Sequence, residues 1–310
     1  MSVLALSGGI GGAKLALGLY RILPPGALTV VANTGDDFEH LGLSVSPDID
    51  TLLYTLGGID NPATGWGRRD ETWTFMAALE ALGGETWFKL GDGDLATHVE
   101  RTRRLAAGES LSRITNDFRH RLGISARLLP MTDDRVRTRL HCKEGWLDFQ
   151  DYFVRLRAAP AVREIAYAGA SHARLDPDFL AALTDNHLDA VVICPSNPFL
   201  SIDPILALPG LREALRACPA PVVAVSPIIG GKAVKGPTAK IMAELGLPIT
   251  AAAVARHYED FLDVYVADEA DAEQVRKLGI PTILSRTLMV TLEDREALAR
   301  IVLTAARRGF

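Results

Sequence analysis

Three cysteines are all this chain carries, and Cys142, Cys194 and Cys218 stand too far apart for a metal knuckle and are too few for a disulfide framework. A reducing, cytoplasmic setting is the expectation. Basic residues are short as well: 33 Lys and Arg face 38 Asp and Glu, for a formal net charge of -5. That balance gives no general attraction to a phosphodiester backbone, so no nucleic-acid partner is expected and any bound anion must be held by a local site. Long hydrophobic runs are missing. The longest apolar stretches, residues 190–195 and 221–229, fall far short of the roughly 20 residues that cross a bilayer, so no membrane span is expected. No basic region or long apolar segment precedes the first apolar run at residues 3–6, and no signal peptide is expected. Also missing are a Gly-x-Ser-x-Gly elbow, a zinc-ligand pair and a cysteine flanked by activating bases. Covalent catalysis through an enzyme nucleophile therefore has no support, and direct displacement is the expected chemistry.

What is present is a chain of 310 residues, 48% of them hydrophobic, enough for one large core or a core with a smaller insertion. Residues 3–6, 28–32, 190–194 and 222–225 are short apolar runs, mostly β-branched, each ending in a loop of Gly, Pro, Ser, Asn or Asp, the pattern of buried parallel strands. Helical periodicity follows at 13–23, 204–217, 238–245 and 292–307. Strands alternating with helices predict an α/β fold with a doubly wound, mainly parallel, Rossmann-like sheet. From residue 65 to 129 the pattern turns to amphipathic helices, at 72–82, 95–107 and 112–122. We therefore expect a core of residues 1–64 and 130–310, with 65–129 as a helical insertion forming a smaller second domain. Residues 162–167 and 262–266 are candidates for two more strands, and the acidic run 268–273 reads as a solvated helix face. No Pro/Ser-rich linker, internal repeat or low-complexity segment interrupts the chain.

The chemistry-bearing motifs sit in the loops. After the first strand comes Ser7-Gly8-Gly9-Ile10-Gly11-Gly12-Ala13-Lys14, a glycine-dense turn into a helix, whose exposed amides and positive helix end suit phosphate. The spacing is neither the P-loop nor the dinucleotide fingerprint, which argues against ATP hydrolysis and NAD binding. A bare tight turn is the bland alternative, and Lys14 tips the balance toward an anion. Asn33-Thr34-Gly35-Asp36-Asp37 and Ser46-Pro47-Asp48-Ile49-Asp50-Thr51 put four carboxylates into two neighbouring loops. Singly, each reads as a cap or an Asx-turn. Together they favour a metal or substrate site, and an oxygen-only set suits Mg²⁺. Lys89-Leu90-Gly91-Asp92-Gly93-Asp94 is a further Gly/Asp loop, followed by His98, although a lone helical histidine is more often structural. Pro195-Ser196-Asn197-Pro198 and Ser226-Pro227-Ile228-Ile229-Gly230-Gly231-Lys232, the latter continuing to Lys235, follow two other strands. The second of these offers another glycine-lysine anion cradle. In an open α/β sheet the loops after the strands converge on one crevice, which points to a phosphorylated, nucleotide-like ligand.

These motifs, in this order and over nearly the whole chain, resemble the 2-phospho-L-lactate transferase family of coenzyme F-420 biosynthesis. The resemblance implies an Mg²⁺-dependent, homodimeric enzyme. It would move a three-carbon phosphate unit (phospholactyl, phosphoenolpyruvyl or phosphoglyceryl) from a guanylated donor to the ribityl hydroxyl of the deazaflavin 7,8-didemethyl-8-hydroxy-5-deazariboflavin, releasing GMP. It also implies roles for residues. Asp50 and Lys89 match positions used around the deazaflavin, Asp50 and Asp37 are the expected catalytic carboxylates, and Asp50, with Asp37 and Asp48 as further candidates, is expected to hold the metal. Gly9, Gly11, Gly12, Lys14, Asp92, Asp94, Ser196, Asn197, Gly230, Gly231 and Lys232 complete the expected substrate site, with the guanine nucleotide beside Ser196, Asn197 and residues 230–232. The alternative reading is a non-catalytic nucleotide-sugar-binding regulator, which shares the glycine-rich opening but carries a Gly/Ser-rich loop where this chain has Asp36-Asp37-Phe38-Glu39.

Overall fold

The computed structural model describes residues 1–234 and 236–307, and Lys235 lies outside the described residues. Seven parallel strands form the central sheet: β1 (Ser2–Ser7), β2 (Leu28–Ala32), β3 (Arg127–Pro130), β4 (Leu188–Ile193), β5 (Val222–Val225), β6 (Val264–Ala267) and β7 (Thr282–Leu284). Their spatial order is β7-β6-β5-β4-β1-β2-β3. From β1 the chain winds one way through β2 to β3, then returns to the other side of β1 and winds outward from β4 to β7. This is the doubly wound α/β architecture expected from the sequence.

Both faces of the sheet are covered, which is why its strands read as nearly unbroken apolar runs. Val3 and Ala5 of β1 point into one core with Leu15 and Leu19 of helix α1 (Gly9–Ile22), Leu52 and Leu53 of helix α2 (Pro47–Leu56), and Leu298 and Val302 of the helix Leu292–Arg307. Leu4 and Leu6 point the opposite way, toward Phe179, Ile205 and Leu215. The alternation is the period-2 geometry of a strand.

The stretch 65–129 holds three helices, α3 (Thr74–Ala81), α4 (Asp92–Ala106) and α5 (Leu111–Arg121). Its last residues, 127–129, belong to β3 and so to the central sheet. The α4 helix packs on the small hairpin of Phe38–His40 and Leu43–Val45, and α5 packs against β3 and α2.

Several local expectations are corrected. The strand anticipated at 162–167 forms as Glu164–Ala168, but pairs antiparallel with Arg137–Cys142, which also pairs with Gly145–Asp148 in a separate three-stranded sheet. The helix anticipated at 204–217 breaks around Gly210, whose φ of 79° ends one helix at Leu206 and lets another start at Leu211. Of the acids in the run 268–273, only Glu269 and Glu273 are solvated. Asp271 is fully buried and accepts the N–H groups of Gly230 and Gly231, while Asp268 accepts from Ala270 and Thr287. Among the described residues no helix is long and apolar enough to cross a membrane.

Two helices of the first core meet at Gly18, where a Cβ would fall on the backbone carbonyl of Arg295. Backbone cannot swing aside as a side chain can. Gly18→Ala should therefore force α1 and the helix Leu292–Arg307 apart at a cost of about 1–3 kcal/mol, read as a lower denaturation midpoint with an unchanged m-value.

Candidate functional site

The sheet order reverses between β1 and β4, and a crevice opens beyond the carboxyl ends of these strands, where doubly wound sheets bind ligands. It is a cavity of about 750 Å³. The loops after β1 and β4 meet in atomic contact: a Cβ on Gly11 would overlap the Pro195 carbonyl, and one on Gly12 would overlap the hydroxyls of Ser7 and Ser196. Ser196 ties the two loops by accepting from the Gly8 N–H at 3.2 Å and donating to the Gly8 carbonyl at 2.7 Å. An α-helix leaves its first N–H groups without intrahelical partners. In α1 that of Gly9 goes to Asp48 Oδ1 at 2.5 Å, while Ile10 and Gly11 line the cavity.

The acidic wall is organised by Asn33 at the end of β2. Its fully buried side-chain amide donates to Asp36 Oδ1 at 3.1 Å and to Asp48 Oδ2 at 3.0 Å, bracketing two carboxylates with one NH₂ group. Asp37 lies alongside, accepting from the Ser46 hydroxyl at 2.8 Å, and its Oδ1 is buried without a partner. Burial, reinforced by the neighbouring carboxylates, holds Asp36 well above the usual carboxylate range. Burial also raises Asp37 to about 7 and Asp48 to about 6. Three acids that resist ionisation so close together form a site waiting for positive charge.

Asp50 stands elsewhere. Residues two apart on a helix point about 200° apart, so Asp48 and Asp50 of α2 cannot face the same space. Asp48, Pro47 and Thr51 line the cavity, and Asp50 does not. Its carboxylate is gripped on both oxygens by the buried Arg101 of α4. His98 lies between it, at 3.7 Å, and Asp94, at 3.3 Å, and Asp94 in turn accepts from the Tyr54 hydroxyl. Asp50 and Asp94, expected in the metal and substrate site, are here both members of a buried polar network that bolts α4 onto α2. Asp92 likewise serves the fold, accepting from Thr72 and from the amides of Thr74 and Phe75 at the start of α3.

Of the other expected residues, Gly9, Gly11, Lys14, Lys89, Ser196 and Asn197 line the cavity. The Asn197 Oδ1 caps the turn that follows it, while its Nδ2 is buried with no partner, a donor left over for a ligand. Gly12 packs behind the wall. The second anion cradle is already filled from within, because the Gly230 and Gly231 amides are spent on Asp271, and Lys232 is exposed on the adjoining hairpin away from the cavity.

The aromatic side of the cavity was not anticipated. Trp66, Trp87, Phe88, Phe149 and Phe153 form it, with Phe149 and Phe153 stacked at 5.4 Å and 16°. The one sequence signal was the i, i+4 spacing of Phe149 and Phe153 around Gln150. Their turn proves to be one turn of π-helix, Asp151–Arg155. Among the described residues no group of three or more His, Cys, Asp or Glu is disposed to hold a metal. The carboxylate pair of Asp36 and Asp48 on the wall still meets the needs of Mg²⁺, which takes one or two carboxylates and leaves its other positions to water and phosphate.

Comparison with known proteins places the chain in a family. Residues 3–289 match the family model described as 2-phospho-L-lactate transferase CofD. The chain is 45% identical to a phosphoenolpyruvate transferase of Kitasatospora aureofaciens over 98% of its own length and 97% of that protein. It is 40% identical to a 2-phospho-L-lactate transferase of Methanosarcina mazei over 98% of this chain and 100% of the relative. Its fold is shared with a solved structure of a UPF0052 family member from Bacillus halodurans, at a TM-score of 0.66 and 15% identity, with 97% of this chain and 98% of that one covered.

Two stability measurements follow from the network. Arg101→Met leaves the Asp50 charge buried and uncompensated and should cost about 3–5 kcal/mol, seen as a large drop in the urea midpoint. Asp37 has its folded pKa raised to about 7 from an unfolded value of 3.8, so the native state holds the extra proton and stability is lost as pH rises between those values. Asp37→Asn removes that penalty. The variant should gain on the parent as pH rises from about 4 to 8 in paired thermal melts, and parallel curves would contradict the assignment.

Proposed function

The chain belongs to the 2-phospho-L-lactate transferase family and is a transferase of coenzyme F-420 biosynthesis, and we propose that its donor carries a guanylated phosphoenolpyruvyl unit. The ribityl hydroxyl of the deazaflavin attacks the phosphorus next to the three-carbon unit, the bond from that phosphorus to the GMP oxygen breaks, and GMP leaves. Preference for phosphoenolpyruvyl over phospholactyl rests on relatives such as those of Kitasatospora aureofaciens and Streptomyces coelicolor, 45% and 42% identical and both named phosphoenolpyruvate transferases.

The observation that carries the reading is the two-sided cavity. A flat, partly apolar acceptor ring suits the wall of Trp66, Trp87, Phe88, Phe149 and Phe153. A phosphorylated donor suits another part of the same cavity, where Ile10 and Gly11 open α1, Asn197 offers an unpartnered Nδ2, and Ser196 fixes the loop. Two reactants held in one cavity are brought together, and this positioning lowers the barrier without a covalent enzyme intermediate.

Asp36 and Asp48 are the residues that would hold Mg²⁺, in place of the expected Asp50. The ion would neutralise charge on the phosphoryl oxygens and on the leaving group. Asn33 and the Gly9 amide hold the Asp48 carboxylate in one orientation. Asp50 acts through Arg101 on the placement of α2.

Mass spectrometry of the product from deazaflavin, Mg²⁺ and each of the three guanylated donors should find the phosphoenolpyruvyl adduct dominant. An adduct from phospholactyl alone would reassign the donor, and no adduct at all would reduce the protein to a binder. In the same assay Asp48→Asn should lower kcat by about 10²–10³-fold with its melting temperature retained.

A further inference from the structure

Among the described residues four cations line the cavity: Lys14, Lys89, Arg155 and Arg157. Two of them have evident work. Lys14 gives its Nζ to the Met289 carbonyl at 2.7 Å. Arg155 pairs with Asp151 at 3.3 Å and Glu85 at 3.5 Å and lies over the Trp87 ring, 5.0 Å from its centroid. Lys89 follows Trp87 and Phe88 on the aromatic wall. Arg157 alone of the two arginines makes no hydrogen bond or ion pair to any described residue, although it lines the cavity.

Its backbone is unusual as well. Arg157 and Ala158 have φ of 51° and 52°, two successive left-handed residues, neither of them glycine. Side chains with a Cβ disfavour that region, and such strain gathers where a ligand site needs it. Here it is imposed by the π-turn that ends just before: Leu156 N–H bonds to the Asp151 carbonyl and Ala158 N–H to the Tyr152 carbonyl, both at 2.8 Å. The stacked Phe149 and Phe153 anchor the same segment, and the fully buried Tyr152 locks it to the core. A strained turn thus holds an uncommitted guanidinium at the cavity wall.

We propose that Arg157 grips the carboxylate of the donor's three-carbon unit through a forked guanidinium–carboxylate pair. This rests on the transferase reading above and extends it to the part of the donor that reading leaves unheld. Phospholactyl, phosphoenolpyruvyl and phosphoglyceryl units all carry a carboxylate. In that reading the amides that open α1 would take the phosphates, and the acidic wall would hold the Mg²⁺ that neutralises them. A planar fork matches a carboxylate in two parallel hydrogen bonds, which a lysine ammonium cannot reproduce. Arg157 then selects for a carboxylated three-carbon group while remaining blind to which of the three it is.

The test uses the full chain with Arg157→Asn and Arg157→Lys, since asparagine tolerates left-handed backbone and spares the turn. Steady-state kinetics with donor and deazaflavin varied in turn should give Arg157→Asn a donor KM raised about 10–100-fold, a deazaflavin KM changed by less than about twofold, and a melting temperature equal to or above the parent's. Arg157→Lys should recover only part of the loss. Calorimetric titration with GDP, which lacks the carboxylate, should give the parent's affinity for both variants. An unchanged donor KM in Arg157→Asn beside an active parent would overturn the proposal. So would an equal loss of GDP affinity, which would assign the guanidinium to phosphate. A parent inactive with every donor would instead overturn the transferase reading itself.

Discussion

The contact between two glycine-lined loops at the reversal of the sheet governs the rest of the site. Strands β1 and β4 are neighbours, and the loops that leave them come so close that Gly11 touches the Pro195 carbonyl and Gly12 touches Ser196. No larger residue fits. This closeness sets where α1 begins, and therefore where its free amides and its positive end point. It also brings Asn197 and Ser201, which follow β4, into the same cavity as Gly8 and Gly9, which follow β1.

Around that contact the chain sorts its buried carboxylates by partner. Those on the cavity wall, Asp36 and Asp48, share one amide and are short of positive charge. Asp50, equally buried, is fully matched by Arg101. The two situations have opposite consequences. A matched pair in a dry interior fixes geometry, since removing either partner strands the other. An unmatched pair at a wall invites a cation and a phosphorylated ligand, because their arrival relieves repulsion already built into the fold. One helix, α2, carries both kinds, on opposite sides of its axis, so the fixed pair holds the reactive one in place.

Much of the fold was legible in the sequence, because parallel strands covered on both faces must be apolar throughout, and four of the seven stood out on that signal alone. Strand β3 did not, since Arg127 and Pro130 bracket only two apolar residues, and β7 is three residues long at a sheet edge. The 164–168 strand was visible, yet its partner was not, because sheet membership is a long-range property that no local pattern encodes. In the site, the glycine loop, Lys89, Ser196 and Asn197 were legible from type and position. Asp48 could be separated from Asp50 only once the rotation of α2 about its axis was known. The aromatic wall was hidden for another reason. Trp66, Trp87 and Phe149 come from three distant segments, and scattered aromatics read as ordinary core until the chain brings them together.

The buried Asp271 has one more consequence. Its carboxylate occupies the amides of Gly230 and Gly231 from a segment about 40 residues further along the chain. The hairpin of Ile228–Ile229 and Lys232–Ala233 therefore keeps its shape whether or not substrate is present. A hairpin grafted without its acid would bring two amides that have lost their partner, so this rim of the cavity is shaped by two segments together.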